Sequence, residues 1–185
     1  MTTRQDRATI DPEIGAALSL LEAQITRDIT DRVCPGISVS VIHDQAMIWS
    51  RGFGYADLDG KVPASPDTVY AVGSITKLFT ATMLLQLRDA GKLRLDDAVQ
   101  DYLPEVRVPS RHAGAPAITF RHLVTHTSGL SKDAPTEYWA TSQFPPVERL
   151  MELMPETEQP YPSATQWKYS NLAIALMARI QLASA

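Results

Sequence analysis

GSITKLFTATMLLQLRDAG, residues 73–91, is the stretch on which the fold prediction depends. Its apolar residues form too broad a stripe for a surface helix, so we expect a buried helix from Ser74 to Ala90, with Gly91 as the C-cap. The short apolar run at residues 68–72 predicts a strand immediately before it. Ser74 and Lys77 are three residues apart, and side chains at that spacing face each other on a helix.

A serine at the start of a helix is well placed to act as a nucleophile. Its own backbone N–H can stabilise an oxyanion, and the helix dipole favours negative charge at that end. Thirteen serines and five lysines in 185 residues predict about 0.35 chance matches to S-x-x-K, so the motif by itself is weak evidence.

The triplet Tyr169-Ser170-Asn171 is a second and more specific motif. With six tyrosines and a single asparagine in the chain, about 0.03 chance matches to Y-x-N are expected. Residues two apart in extended chain point the same way, so Tyr169 and Asn171 are expected on one side. The alternative is structural: Asn171 as a helix N-cap, and Tyr169 as a buried ring with a satisfied hydroxyl.

The segments around these motifs predict an α+β fold, because strands are followed by a run of helices. Asp11 and Pro12 begin an amphipathic helix that continues through Asp31. Residues 37–42 alternate between apolar and polar, and residues 46–50 run into a Gly-rich segment at 51–55. Together they predict an antiparallel hairpin that turns at 43–45. A polar loop around Pro63 and Pro66 follows. The further predicted helices span residues 96–102, 119–126, 146–154 and 171–182.

Several function classes are disfavoured. The net charge of −4 and the scattered basic residues argue against nucleic-acid binding, and no apolar window is long enough for a membrane span. If Met1 is the native start, the absence of a signal sequence predicts a cytoplasmic protein. His122 and His126 are four residues apart, but no third ligand suggests itself, so we expect no metal and assign the segment to structure. We do not expect Ser128 to compete with Ser74 as a nucleophile, because nothing in the sequence supplies a base near it.

Three segments, GSITKLFTATMLLQLRDAGKLRLDDAVQDYLP, ITFRHLVTHTSGL and WKYSNLAIALMARI, occur in an order that resembles the β-lactamase-related serine hydrolases. This group includes class C β-lactamases, penicillin-binding proteins, D-alanyl-D-alanine carboxypeptidases and family VIII esterases. The resemblance implies a β-lactamase/transpeptidase-like fold, an antiparallel sheet flanked by helices plus a helical subdomain. Residues 1–185 would then be the N-terminal portion of one domain, with the helix and first strands in 1–73 and the nucleophile helix and helical region in 74–185.

The resemblance also implies an acyl-enzyme mechanism on an ester, a β-lactam or a D-amino-acid peptide, without a cofactor. Ser74 would be the nucleophile and Tyr169 its base, while Lys77 would orient Ser74 and favour the tyrosine anion. Asn171 would bind substrate and hydrogen-bond Lys77. We therefore expect Ser74, Lys77 and Tyr169 to converge, and Lys77 to be largely desolvated.

The family's third motif, a Lys-Thr-Gly or His-x-Gly triplet on a later strand, has no counterpart in this chain. His112-Ala113-Gly114 fits the pattern, but it precedes Tyr169 and is predicted to lie in a loop. The final helix has no stop signal, and two or three strands alone would leave sheet edges exposed, which indicates a chain truncated before its C-terminal strands. The missing C-terminal half would then be a partner, and the chain alone would be poorly active. The alternative is a non-catalytic remnant that binds a ligand or partner.

Overall fold

The computed structural model describes residues 11–104, 108, 112–141 and 143–184 of the chain. The chain divides into two compact units, Met1–Ala71 and Val72–Ala185. The first unit carries one helix and a three-stranded antiparallel sheet, and the second is helical. The α+β prediction is therefore confirmed.

Helix α1, Pro12–Thr30, begins as the sequence predicts. The Asp11 side chain accepts a hydrogen bond from the backbone N–H of Glu13 at 2.8 Å, and Pro12 occupies the first turn, where a missing N–H costs nothing. Glu22 on this helix accepts from Trp49 Nε1 at 2.9 Å and pairs with Arg51 at 3.1 Å. These contacts hold α1 against the sheet.

The hairpin is formed by β1, Gly36–His43, and β2, Ala46–Asp57, which pair antiparallel. Asp44 and Gln45 both have positive φ, 47° and 63°. Two left-handed residues make the tight turn whose twist matches that of the flanking strands. The predicted hairpin is confirmed.

A third strand, β3, Val62–Pro63, pairs with the far end of β2 where the sequence predicts only a polar loop. Proline lacks the N–H that a central strand requires, so it is compatible with an edge position.

The strand predicted at residues 68–72 is not formed, and Val69 is 94% exposed there. Ser65 and Thr68 instead bond to each other: the Thr68 N–H donates to the Ser65 carbonyl, and the Ser65 N–H donates to Thr68 Oγ1. A local turn of this kind competes with strand pairing for the same backbone groups.

A 3₁₀ turn, Gly73–Ile75, leads directly into α2, Thr76–Asp89. Gly91 follows at φ +70°, as predicted for a C-cap glycine. The expected burial of this helix is wrong: its buried residues are Thr80 and Leu84, whereas Leu78 and Phe79 are 69% and 66% exposed. Helix α2 packs against the last helix on one side, and its apolar stripe is wider than the face used there.

The core of the second unit is arranged around the last helix, α7, Asn171–Ser184, which also packs against α4, Phe120–Val124. The shorter helices are α3, Val99–Tyr102, α5, Tyr138–Thr141, and α6, Val147–Glu152, with a 3₁₀ turn at Met154–Glu156. Several are shorter than predicted; residues 94–97, for example, form a turn held by Asp97 Oδ2. The largest buried apolar side chains are Leu84, Leu103, Phe120, Leu123, Leu130, Met154, Leu176, Met177 and Ile180.

In the described part of the chain, no helix has both the length and the apolar character needed to span a membrane.

Candidate active site

Ser74 lies in the 3₁₀ turn at the start of α2 and is exposed. The backbone N–H groups in the first turn of a helix have no intrahelical acceptor, so the Ser74 N–H can donate a hydrogen bond to a ligand. Lys77 Nζ donates to Ser74 Oγ at 3.0 Å. The predicted proximity of the hydroxyl and the ammonium is confirmed.

Tyr169 reaches the same point from the other end of the unit. Its hydroxyl oxygen lies 2.6 Å from Ser74 Oγ, and Lys77 Nζ lies 5.0 Å from the centre of its ring. The segment is held by the Lys168 N–H, which donates to the His126 carbonyl at 2.7 Å. The predicted convergence of Ser74, Lys77 and Tyr169 is confirmed, and their chemical roles stay predictions.

The electrostatics of this group favour loss of the tyrosine proton. The neighbouring Lys77 ammonium lowers the pKa of the Tyr169 hydroxyl from its ordinary value, and the hydrogen bond with Ser74 lowers it further. A cation beside a phenol stabilises the phenolate, which is the form a base requires. Lys77 itself is half-buried at the exposed start of α2, so the prediction that it is largely desolvated is met only in part.

Asn171 is the first residue of α7 and lines the same cavity as Ser74 and Lys77. Its Nδ2 donates to Asp133 Oδ1 at 2.8 Å, and its backbone N–H donates to the Lys132 carbonyl at 2.7 Å. Among the described residues it forms no hydrogen bond with Lys77, contrary to expectation. Its substrate-binding role stays a prediction.

The structural alternative for the Tyr169–Asn171 triplet is wrong. Ser170, not Asn171, caps α7: its Oγ accepts from the Ala173 N–H at 3.0 Å and donates to the Ser131 carbonyl at 2.7 Å. Because Ser170 is fully buried between two half-buried neighbours, the cap anchors the triplet and leaves Tyr169 and Asn171 available to the site.

His126 is a residue of the site that the sequence interpretation missed. Its ring lies 4.8 Å from that of Tyr169, and its Nδ1 accepts from the Ser170 N–H at 3.2 Å. A nitrogen that accepts carries no proton, so the hydrogen of the neutral ring is on Nε2. Burial lowers the pKa of His126, and the charge of Lys77 lowers it further. Only the fold shows that this histidine lies beside Tyr169.

The loop that carries His126 depends on Gly129. Gly129 has φ +75°, and a Cβ there would overlap the backbone oxygen of Tyr161. The Ala164 N–H donates to the Thr127 carbonyl at 2.9 Å, so the loop supports the segment that leads to Tyr169. Ser128 is fully buried, which is consistent with its rejection as a nucleophile.

The other motif considered from the sequence lies apart from Ser74. His112-Ala113-Gly114 lies in a loop, as predicted, where His112 Nε2 is 3.0 Å from the Gln159 carbonyl; neighbouring Pro109 and Arg111 lie outside the described residues. Nδ1 of His122 accepts from the Thr119 N–H at the start of α4, a structural use of that side chain. Within the described ranges, no three His, Cys, Asp or Glu side chains are grouped to hold a metal ion.

The chain is similar in sequence to proteins of one family. The family model described as Beta-lactamase matches residues 21–184. The chain is 40% identical over 110 residues to the serine beta-lactamase-like protein LACTB, mitochondrial, of Homo sapiens, a match that covers 57% of this chain and 20% of that protein.

Solved structures of similar fold point to the same family. A penicillin-binding protein homologue from Pyrococcus abyssi matches with TM-score 0.70 and 28% identity, over 89% of this chain and 38% of its own. A class C beta lactamase from Rhodobacter sphaeroides matches with TM-score 0.67 and 29% identity, over 91% and 44%. The predicted β-lactamase/transpeptidase-like fold is confirmed, and the chain spans less than half the length of each of these relatives.

Proposed function

The chain belongs to the beta-lactamase family of serine hydrolases, and from that membership we propose that it carries the nucleophile, the base and the cation of an acyl-transferring hydrolase. The observation that supports this most directly is the contact of Ser74 Oγ with both Tyr169 at 2.6 Å and Lys77 at 3.0 Å. A nucleophile within hydrogen-bond reach of a base is the arrangement that covalent catalysis requires.

In the first step, Tyr169 as phenolate takes the proton of the Ser74 hydroxyl, and Oγ forms a bond to the substrate's carbonyl carbon. The Ser74 N–H donates to the resulting oxyanion. The bond from that carbon to the leaving oxygen or nitrogen then breaks, and Tyr169 delivers the proton to the leaving group. An acyl-Ser74 ester remains.

In the second step, water gives a proton to Tyr169 and attacks the acyl carbon. The bond to Ser74 Oγ breaks, the proton returns to Oγ, and a carboxylic acid is released. In both steps, the ammonium of Lys77 stabilises the anionic form of Tyr169, which agrees with the lowered pKa of the Tyr169 hydroxyl. Esters, β-lactams and D-amino-acid peptides can all be opened by this sequence of events.

The test is acyl-enzyme formation by the natural gene product that contains these 185 residues. We expect p-nitrophenyl butyrate or nitrocefin to give turnover, and mass spectrometry of rapidly quenched samples to find the acyl group on the peptide that contains Ser74. Ser74→Ala should abolish both signals.

Ser19→Ala is the control, because Ser19 is also an exposed serine on a helix but lies in the middle of α1. It should keep full turnover. A folded gene product that neither turns over nor acylates would favour the remnant alternative, a protein that binds a ligand or partner without catalysis.

A further inference from the structure

A cavity of about 470 Å³ opens beside Ser74 and Lys77 in the second unit. Most of its wall is apolar, contributed by Ala134, Phe144, Pro145, Leu150, Leu172 and Ala175. Small-molecule sites have volumes of about 300–1,000 Å³ and walls of this kind. Because the cavity begins at the nucleophile, whatever fills it is attached to, or close to, the carbonyl carbon that Ser74 attacks.

Two polar side chains in the wall away from the nucleophile donate hydrogen bonds to the same carboxylate oxygen. The Tyr138 hydroxyl donates to Asp133 Oδ1 at 2.5 Å, and Asn171 Nδ2 donates to the same oxygen at 2.8 Å. These bonds engage the tyrosine proton and one amide hydrogen of Asn171, so neither hydrogen needs an acceptor from the substrate, and the Asn171 amide oxygen keeps its capacity to accept. The Tyr138 ring packs 5.3 Å from that of Phe144 and adds aromatic surface to the wall.

The charge of the cavity is concentrated at the reaction centre. Lys77 is the charged side chain among the described residues that line it, and it already contacts Ser74. A carboxylate carried deeper into the cavity would lose water against the buried Ala134 and Leu172, and among the described lining residues it would find no second cation there, which is costly. An aliphatic or aromatic group would gain from the same burial.

We propose that this cavity binds the acyl group of the substrate and selects uncharged apolar acyl groups, so that substrates with aliphatic or aryl acyl groups react faster than those whose acyl group carries a charge. The inference rests on the proposed function and narrows its substrate class. Phe144 is the specificity-determining residue most open to test, since it lines the cavity but is 64% exposed, and its truncation removes little core.

The experiment measures kcat/KM of the natural gene product for p-nitrophenyl acetate, butyrate and hexanoate. Each buried methylene should raise kcat/KM about fourfold until the cavity is full. The mono-p-nitrophenyl ester of adipic acid has the six-carbon acyl chain of hexanoate but ends in a carboxylate. It should be at least about tenfold poorer than hexanoate, because its charge must be desolvated.

Phe144→Ala should reduce the gain per methylene to below about twofold, whereas Phe144→Leu should retain most of it because an apolar wall remains. Leu58→Ala alters an exposed leucine of the first unit and should leave the chain-length dependence unchanged.

The outcomes separate the two proposals. Ser74-dependent turnover with no chain-length gain, with the adipate ester preferred to hexanoate, or with an unchanged gain in Phe144→Ala would overturn this inference and leave the proposed function standing. Absence of Ser74-dependent turnover of every ester and of nitrocefin would overturn the proposed function and this inference with it.

Discussion

The Ser74 hydroxyl is held between two groups with different hydrogen-bonding capacity. The Lys77 ammonium can only donate, so Ser74 Oγ must accept from it at 3.0 Å. The hydrogen of Ser74 is then available for Tyr169, whose oxygen is 2.6 Å away. At the scale of single residues, the arrangement therefore leaves the Ser74 hydrogen free to be donated to Tyr169, which is the direction that the proposed proton transfer requires.

Removal of the Lys77 charge should move the pH dependence of the reaction. Lys77 lowers the pKa of Tyr169, and in the proposed mechanism the active form of Tyr169 is the anion, so activity should rise as the pH passes upward through that pKa. In Lys77→Gln the pKa of Tyr169 should return toward its ordinary value, and the acid limb of the kcat/KM profile should shift to higher pH. The profile of the natural gene product with p-nitrophenyl butyrate measures it.

Lys77→Arg is the control for that profile. It keeps the positive charge but changes the donor geometry, so the rate should fall while the acid limb stays near its original pH. An acid limb that does not move in Lys77→Gln would mean that Tyr169 is not the titrating base.

His126 should make the stability of the chain depend on pH. Burial lowers its folded-state pKa below the 6.5 of an unperturbed histidine, so the unfolded chain binds more protons. The stability it contributes is complete above that value and is lost as the pH falls through the folded pKa. The free energy of unfolding should decrease between about pH 7.5 and about pH 5.5, and it should decrease less in His126→Asn.

The choice of replacement separates charge from contact. Asparagine tolerates the φ of +58° at this position and offers an acceptor to the Ser170 N–H, whereas His126→Ala leaves that buried donor unsatisfied. We expect His126→Ala to cost about 1–3 kcal/mol at neutral pH and His126→Asn less. Equal pH slopes for the wild type and His126→Asn in urea unfolding would contradict the assignment.

At the scale of elements, short connections position the catalytic side chains. Ser74 is carried by a 3₁₀ turn that continues into α2, and Tyr169 by extended chain that ends at the Ser170 cap of α7. Because α2 packs against α7, the starts of these two helices bring the serine and the tyrosine together. The exposed Leu78 and Phe79 show that α2 uses only part of its apolar surface for this contact.

Gly129 should be intolerant of substitution because its loop lies directly against the Tyr161 backbone. Gly129→Ala combines a left-handed φ of +75° with overlap at the Tyr161 carbonyl. We expect a loss of more than about 1–2 kcal/mol, the cost of the backbone conformation alone, together with reduced activity through displacement of His126 and Tyr169. Chemical denaturation of the chain measures the first effect.

Gly15→Ala is the matched control for that substitution. Gly15 is inside α1, and a Cβ there meets no atom within 4 Å. Alanine is a better helix former than glycine, so this variant should gain roughly 0.5–1 kcal/mol. Similar effects of the two substitutions would show that the Gly129 loop is not constrained as described.

At the scale of the whole molecule, the described sheet has three strands in the order β1-β2-β3, with β1 and β3 at its edges. The chain covers 38% and 44% of the two solved relatives described above. An oxyanion hole of this reaction type needs a second donor besides the Ser74 N–H. In the family that donor comes from a Lys-Thr-Gly or His-x-Gly strand, and no such triplet follows Tyr169 in these 185 residues.

The 185-residue chain should therefore be a much weaker catalyst than the natural gene product that contains it, if that product is longer. Loss of one oxyanion donor costs about 10²–10³ in rate. Turnover of p-nitrophenyl butyrate and nitrocefin by the two proteins, each beside its Ser74→Ala variant, measures the difference. Equal Ser74-dependent rates would show that no further segment is needed.

Local features of the molecule could be predicted from the sequence because they depend on neighbouring residues. The Asp11 cap, the hairpin turn at Asp44 and Gln45, and the spacing of Ser74 and Lys77 all follow from backbone geometry over a few residues. The failures concern features that depend on a packing partner: β3 at Pro63 needs β2 as a partner, and the burial of α2 depends on what packs against it.

By itself, the sequence determined the α+β character and, through its resemblance to a known family, predicted that Ser74, Lys77 and Tyr169 converge as nucleophile, cation and base. The tertiary structure alone decided that His126 lies against Tyr169 and that an apolar cavity adjoins Ser74. It also decided that the side chain of Asn171 bonds to Asp133 and not to Lys77. Such contacts join residues far apart in the chain. Their geometry depends on how the helices pack, because no local preference specifies which distant side chains meet.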